Sequence, residues 1–346
     1  MARRTWKSKK QRGSGPGRFL LGMFLAALVL AGGAGWFVLT PYGPVSETFV
    51  ELAPGDSTLR IGQKLQAAGV VRSQYAFDLL RVLERGRLRA GEYRFDHPAP
   101  AIEVYERIAR GDVYTRALII PEGENVFDIA SRVEQAGFDT RQDFLNAAVK
   151  QVGLVTDLDP RAKSLEGYLF PDTYRFARNT SATQIVATMV HRFRAVAAQL
   201  GLKENVHQVV TLASLIERET AVDAERPLVA SVFENRLKKN MPLMTDPSVI
   251  YGLELQGLWR GAIYQSDLAR NTAYNTYLHA GLPPGPVANP GLPSLRAALH
   301  PADTGYLYFV AASNNAQGHS LFASTLDEHN RNVADYRRAM KKAAAQ

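Results

Sequence analysis

The sequence predicts an α+β protein in three parts: one apolar helix that crosses a membrane, a small α/β unit, and a mainly helical domain that carries a small β-sheet. Three observations carry this expectation. Phe19 to Leu39 runs 21 residues without a charge, enough at ~1.5 Å per residue to cross a ~30 Å hydrocarbon core. Between Glu51 and Gly111, short amphipathic stretches closed by glycine alternate with strand-like runs. Beyond Pro121 the apolar residues recur mainly at helical spacing, and a pair of strand-like runs returns only near the C-terminus. The chain has 346 residues, long enough for two or three separate cores.

The basic arm, 1–18, comes first and the apolar helix, 19–39, follows it. Arg3, Arg4, Lys7, Lys9, Lys10, Arg12 and Arg18 precede the first acid, Glu47, and account for nearly all of the formal charge of +8. The remainder is close to neutral, which argues against a nucleic-acid partner for the folded part, since phosphate binding needs clustered positive charge. All these cations lie before the apolar run and Trp36 lies near its far end. The positive-inside rule therefore puts the N-terminus in the cytoplasm and everything after Thr40 outside a plasma (inner) membrane, held by a single pass. A cleaved signal peptide is the competing reading, because Ala31 to Gly35 are small. The length of the run favours an anchor, since it exceeds an ordinary signal h-region. There is no cysteine, which removes disulfides, thiolate metal sites and cysteine nucleophiles. None of the seven histidines has zinc-site spacing, so neither a metal nor another cofactor is expected.

A small α/β unit is expected over 46–117. Gly55 and Asp56 form a turn, Ser57 or Thr58 caps, and Leu59, Ile61 and Leu65 begin a short helix that ends at Gly69. Ala90 to Phe95 reads as a strand, and Ile102 to Ala109 as a helix closed by Gly111. Gly55 to Gly69 aligns without gaps on Gly123 to Gly137, 68 residues later, with four identities in 15 positions. Each copy follows an extended segment ending in proline, Pro54 and Pro121. The run PGDSTLRI resembles the opening of a LysM module, and LysM modules bind N-acetylated glycans. A structural spacer is the alternative, because the helices read longer than a LysM repeat normally allows.

The remaining part, 118–346, should be mostly helical: Phe127–Ala136, Arg141–Val152, Thr183–Leu200, Val206–Glu219 and Arg226–Lys238. The segment Ser164 to Phe176, SLEGYLFPDTYRF, mixes aromatics with carboxylates. Such a composition suits a sugar-binding wall, with Glu166, Tyr168 and Asp172 as candidate contacts, although aromatic segments are more often simply core. In MTDPSVIYG, a turn before Pro247 would project Thr245 and Asp246. The stretch NTAYNTYLHAGLPPGPVANPG reads as a long ordered loop in which Asn275 and Tyr277 offer sugar-type hydrogen bonds. TGYLYFVAA and HSLFAS read as a strand pair joined through SNNAQG, and Thr325 with Glu328 forms a capping box for a last helix, Leu326–Lys342.

The helix Val206–Glu219 carries the chemistry. Val206, Val209, Val210, Leu212, Ala213, Leu215 and Ile216 make one broad apolar face. Glu217 and Glu219 fall on its two flanks, about 60° and about 100° from the apolar centre at 3.6 residues per turn. A carboxyl on such a flank touches both core and cleft, where partial burial raises its pKa and lets it act as a general acid. The bland alternative is a pair of solvated helix-end charges. Taken alone, the wheel slightly prefers Glu217 for burial.

The blocks LASLIERETAVDAERPLVASVFENRL, MPLMTDPSVIYGL, NTAYNTYLHAGLPPGPVANPG and YLYFVA occur in an order that resembles the YceG/MltG family of membrane-anchored endolytic murein transglycosylases. The likeness runs from roughly Glu51 to the C-terminus. It implies a lysozyme-like catalytic domain in which the second Glu of the E-x-E-T block, here Glu219, is the catalytic carboxylate. Glu217 and the Thr220 hydroxyl would support it. It also implies peptidoglycan glycan strands as substrate, a 1,6-anhydro product, a role in ending strand elongation, and peptidoglycan synthases (penicillin-binding proteins) as partners. Two other classes stay open at this point. A water-using muramidase would take Asp246 or Asp223 as base, and a non-catalytic peptidoglycan-binding scaffold would bind strands without cutting them.

Overall fold

A computed structural model describes residues 16–312 and 318–344. Most of the basic arm, and the SNNAQG connection except its final Gly318, lie outside the described residues. The first helix is α1 (Pro16–Leu39), which from Phe19 onward is apolar on all sides and largely uncovered by protein. Its segment Phe19–Leu39 has a mean hydropathy of 2.0 and has the length and composition to cross a membrane, a test that a signal sequence also passes.

Contacts divide the chain into a unit ending at Thr115 and a unit beginning at Arg116. In the first, strand β1 (Thr48–Leu52) leads to α2 (Thr58–Ala67), α3 (Gln74–Glu84) and β2 (Gly91–Phe95). The two strands pair antiparallel, from Thr48 opposite Phe95 to Leu52 opposite Gly91. Asp56 fixes the turn by accepting the Ala53 N–H at 2.8 Å, and Ser57 caps α2 by accepting the Arg60 N–H. Helix α4 (Ala101–Arg110) closes the unit and ends at Gly111, whose φ of 78° is left-handed. Leu52, Leu65, Phe77, Tyr93, Phe95, Tyr105 and Ile108 form its core. Helix α3 was not expected from the sequence. Its apolar residues form one arc that runs on from the buried face at Ala76, Phe77 and Leu80 to the exposed Tyr75, Val82 and Leu83.

The second unit opens with the same strand–helix–helix–strand order. Strand β3 (Arg116–Ile119), α5 (Val126–Gln135) and α6 (Arg141–Lys150) precede β4 (Thr173–Phe176). Strands β3 and β4 pair antiparallel, from Arg116 opposite Phe176 to Ile119 opposite Thr173. The 68-residue sequence repeat therefore has matching local geometry. Gly55 and Gly123 turn before the cap at φ 88° and 80°, and Gly69 and Gly137 both leave the helix at φ 69°. Asn125 builds a capping box with Asp128 at the start of α5.

Helix α7 (Ala182–Gln199) and α8 (Val206–Glu219) run through the core of this unit. After them come α9 (Arg226–Lys238), α10 (Asp246–Leu255), the one-turn α11 (Gln265–Leu268) and α12 (Leu292–Leu299). The expected turn at Thr245-Asp246 is instead the start of α10. Pro247 sits in its first turn, where a missing N–H costs nothing. Strands β5 (Tyr308–Ala311) and β6 (Ser320–Ala323) pair antiparallel, and α13 (Leu326–Ala344) packs on both. Its start differs from a reciprocal capping box. Thr325 Oγ1 accepts the Glu328 N–H at 3.3 Å, but the Glu328 carboxylate accepts from Ser324 N at 3.2 Å. The architecture is thus mixed and mainly helical, with three two-stranded sheets among the described residues.

Candidate active site

Helix α8 ends where the chain turns extended, at Thr220 with φ −141° and ψ 134°. Its last turn holds two glutamates in unlike surroundings. The Glu217 side chain is 4% exposed and meets Arg226, itself 5% exposed, with Nη1 donating to Oε1 at 2.7 Å. Its other oxygen accepts the Gly291 N–H at 2.9 Å. Arg226 also donates to Ser294 and, at 3.0 Å, to Asp223. Glu217 is therefore a brace that ties α8 to the starts of α9 and α12. The chain passes so close that a Cβ on Gly291 would fall 1.8 Å from the Glu122 carboxylate.

Glu219 opens instead into a cleft of ≈ 510 Å³. Asp246 and Met244 come from the start of α10, Tyr277 from the long loop, Phe233 and Arg236 from α9, and Tyr308, His329 and Asn330 from the C-terminal sheet and α13. Among the described residues nothing donates a hydrogen bond to the Glu219 carboxylate. Burial, reinforced by the negative charge of Asp246, pushes its pKa up to about 7, against the pull of Arg236 and Arg218. At neutral pH both protonation states are populated, as one group needs in order to give and then take a proton.

The cleft walls are held from behind. Tyr277 donates its hydroxyl to Asp246 Oδ1 at 2.6 Å. Arg236 donates to the Leu307 carbonyl at 2.7 Å and the Leu243 carbonyl at 2.8 Å. Its guanidinium lies 5.4 Å from the Tyr308 ring centroid, and the His329 ring stacks on Tyr308 with centroids 5.1 Å apart. Burial and the Arg236 charge hold the His329 pKa below its usual value, so this imidazole is neutral at pH 7. Sequence reading missed Arg236, Tyr308, His329 and Asn330. Arg236 and Tyr308 stood inside the blocks FENRL and YLYFVA, but His329 and Asn330 carried no local signal beyond a polar helix.

Of the other expected site residues, the structure brings Asp246 and Tyr277 to Glu219 and sets the rest elsewhere. Thr220 does not reach the Glu219 carboxyl; its Oγ1 accepts the Val222 N–H at 3.1 Å and shapes the next turn. Thr245 is buried beneath the cleft edge, its N–H donating to Thr276 Oγ1 at 3.0 Å. Asn275 is fully buried and donates to the Leu268 and Arg270 carbonyls at 2.9 and 2.8 Å, so its amide is spent on folding the loop. The expected sugar-binding wall at Ser164–Phe176 is core. Tyr168 is 1% exposed, gives its hydroxyl to Asp159 and meets Phe193 edge-to-face at 5.1 Å.

Glu166 is likewise buried, accepting from Val126 N at 2.9 Å and Asn289 Nδ2 at 2.8 Å. Burial raises its pKa to about 8, with Glu254 adding to the shift. Asp172 pairs with Arg192 at 2.8 Å away from the cleft lining. Asp223, the alternative base, is engaged by Arg226 and does not line the cleft. Among the described residues no cluster of three or more His, Asp or Glu side chains is placed to hold a metal ion.

Comparison with known proteins gives concordant matches. The sequence profile of the YceG-like family covers residues 50–335. A Bacillus subtilis (strain 168) protein named endolytic murein transglycosylase is 34% identical over 334 residues, covering 89% of this chain and 91% of the relative. A protein of the same name from Streptococcus pneumoniae (serotype 2, strain D39) is 28% identical over 358 residues, which is 90% of this chain. This chain spans 64% of that relative's length. The crystal structure of a YceG-like protein from Listeria monocytogenes aligns with a TM-score of 0.53 at 31% identity, covering 83% of this chain and 99% of that one.

Proposed function

The chain belongs to the YceG-like family, and from that premise we propose that it is an endolytic lytic transglycosylase of peptidoglycan in which Glu219 carries the proton transfers. The observation that supports this choice of residue is that Glu219, unlike Glu217, is an unpaired carboxyl with a raised pKa at an open cleft. The protonated Glu219 gives its proton to the glycosidic oxygen between MurNAc and GlcNAc, and the C1–O bond breaks as the GlcNAc 4-hydroxyl forms. The resulting carboxylate takes the proton of the MurNAc 6-hydroxyl while O6 bonds to C1. A 1,6-anhydro end results and no water is consumed, so no second carboxylate is needed as nucleophile or base.

Arg236, Tyr277, Tyr308 and Asn330 supply donors and an aromatic face at the same cleft, the means by which proteins grip sugars. A water-using muramidase is the second reading, and the observation that favours it is Asp246, a second carboxyl in the cleft that could activate water. Helix α1 serves in this account as an uncleaved anchor, with the N-terminus in the cytoplasm and the catalytic part outside. The first unit, whose strand–helix–helix–strand order is compatible with a LysM-like module, would hold the glycan. Peptidoglycan synthases, which handle the same strands, are the partners we expect. Glu219→Gln and Glu217→Gln distinguish the two carboxyls by release of soluble muropeptides from purified peptidoglycan. The assignment predicts no release with Glu219→Gln and residual release with Glu217→Gln; the reverse pattern would overturn it.

A further inference from the structure

Helix α3 buries Ala76, Phe77 and Leu80 in the core of the first unit. Its other apolar residues have no such cover: Tyr75 is 74% exposed, Val82 68% and Leu83 66%. On a wheel these three and Leu79 fall within about 100° of one another and adjoin the core face at Ala76, while Gln74, Asp78 and Arg81 share the remaining side. The apolar arc of this helix is therefore wider than the core face needs, and a soluble surface gives no reason for the excess.

The position of the exposed stripe says what covers it. Tyr75, Ala76 and Leu79 share an apolar hollow of ≈ 250 Å³ with Ala34 and Phe37 of α1. Those two residues lie five and two positions before the end of the apolar span at Leu39. At ~1.5 Å per residue, the hollow sits about 3–8 Å inside the end of the span. The Arg72 guanidinium lies over Trp36 at 4.4 Å and Tyr42 at 4.8 Å, an aromatic–cation cluster at the level where membrane-spanning helices place such groups. Arg81, Arg85, Arg87 and Arg89 follow against a single acid, Glu84, a composition suited to lipid phosphates.

We propose that α3 is a second membrane contact, with Tyr75, Leu79, Val82 and Leu83 seated in the interface of the phospholipid leaflet that α1 leaves. The contact rests on α1 being an anchor. It would fix the first unit against the bilayer by two points rather than one, and so limit its rotation about the anchor.

The chain has no cysteine, so a single introduced thiol labels one site. Full-length Val82→Cys and Leu83→Cys, each spin-labelled and reconstituted into phosphatidylethanolamine–phosphatidylglycerol vesicles, should collide more with oxygen than with a water-soluble nickel chelate. Leu28→Cys in α1 should behave in the same way, and Gln63→Cys on the exposed side of α2 in the opposite way. If labels at 82 and 83 favour the nickel chelate while the label at 28 is deep, the proposal fails and the anchor stands. If both are shielded from oxygen and chelate alike, protein covers the face, a second copy or another chain, and the proposal also fails. A label at 28 that meets the chelate removes the anchor reading and this contact with it.

Discussion

At the scale of single residues, one turn of helix gives Glu217 and Glu219 unlike surroundings, the first paired with Arg226 and the second open to the cleft. The Glu219 carboxyl is raised from a glutamate's ordinary 4.5 to about 7. A general acid must be protonated, so kcat/KM should be highest below neutral pH and fall as pH rises through about 7. Asp246 contributes to the raised value, so Asp246→Asn should move the alkaline limb to lower pH; a pH–rate profile with an unmoved limb would remove Asp246 from the electrostatics of the site. The same raised pKa acts on stability. The folded state holds a proton that the unfolded chain releases near pH 4.5, so the stabilisation present below that pH is lost as pH rises through about 7. Glu219→Gln removes this loss, and its Tm relative to wild type should therefore be more favourable at pH 8 than at pH 5.

The helical wheel ranked Glu217 as the more buried of the two, and its side chain is indeed almost covered. What the wheel could not contain is Arg226, which reaches Glu217 from the next helix and makes its burial structural rather than catalytic. Removing one partner of such a pair leaves an uncompensated buried charge at a cost of about 3–5 kcal/mol. Glu217→Ala should accordingly show a clear loss in chemical denaturation.

At the scale of elements, the long loop before α12 is held by amides. Asn289 Oδ1 accepts the Gly167 and Leu169 N–H groups, both at 2.9 Å, while its Nδ2 donates to the Glu124 carbonyl at 3.0 Å and to Glu166. Asn289→Ala would leave buried donors unsatisfied at about 1–3 kcal/mol each, and the loss should appear as a lower denaturation midpoint. Tyr168→Ala should act likewise, at about 3–5 kcal/mol for a truncated core aromatic. Unchanged stability in Tyr168→Ala, with weakened substrate use, would return that residue to a sugar-binding wall.

The bounds of α8 and α9 were legible to the residue, α8 because it carries one broad apolar face, whereas α9 buries residues on most of its sides. The segment around Tyr168 and Glu166 was not, since aromatics beside carboxylates describe a sugar cleft and a satisfied core equally well. Only the tertiary partners Asp159, Phe193 and Asn289 decide between them. The cleft wall from α13 was invisible for a related reason: His329 and Asn330 reach Glu219's cleft from more than a hundred residues away in the chain.

At the scale of the whole molecule, the chain combines an apolar span with a cleft built around one unpaired carboxyl. A reporter enzyme active only outside the cytoplasm, fused to the C-terminus, should be active if α1 anchors the chain in the proposed orientation; activity of a cytoplasm-only reporter would reverse the topology. The central claim is that Glu219 drives an attack by the sugar's own hydroxyl. Its most direct test is mass spectrometry of peptidoglycan digested by wild type and Glu219→Gln in 18O-labelled water. The account predicts 1,6-anhydro ends without label from wild type and no new ends from folded Glu219→Gln. Reducing ends carrying 18O, or anhydro ends at the wild-type rate from Glu219→Gln, would contradict it.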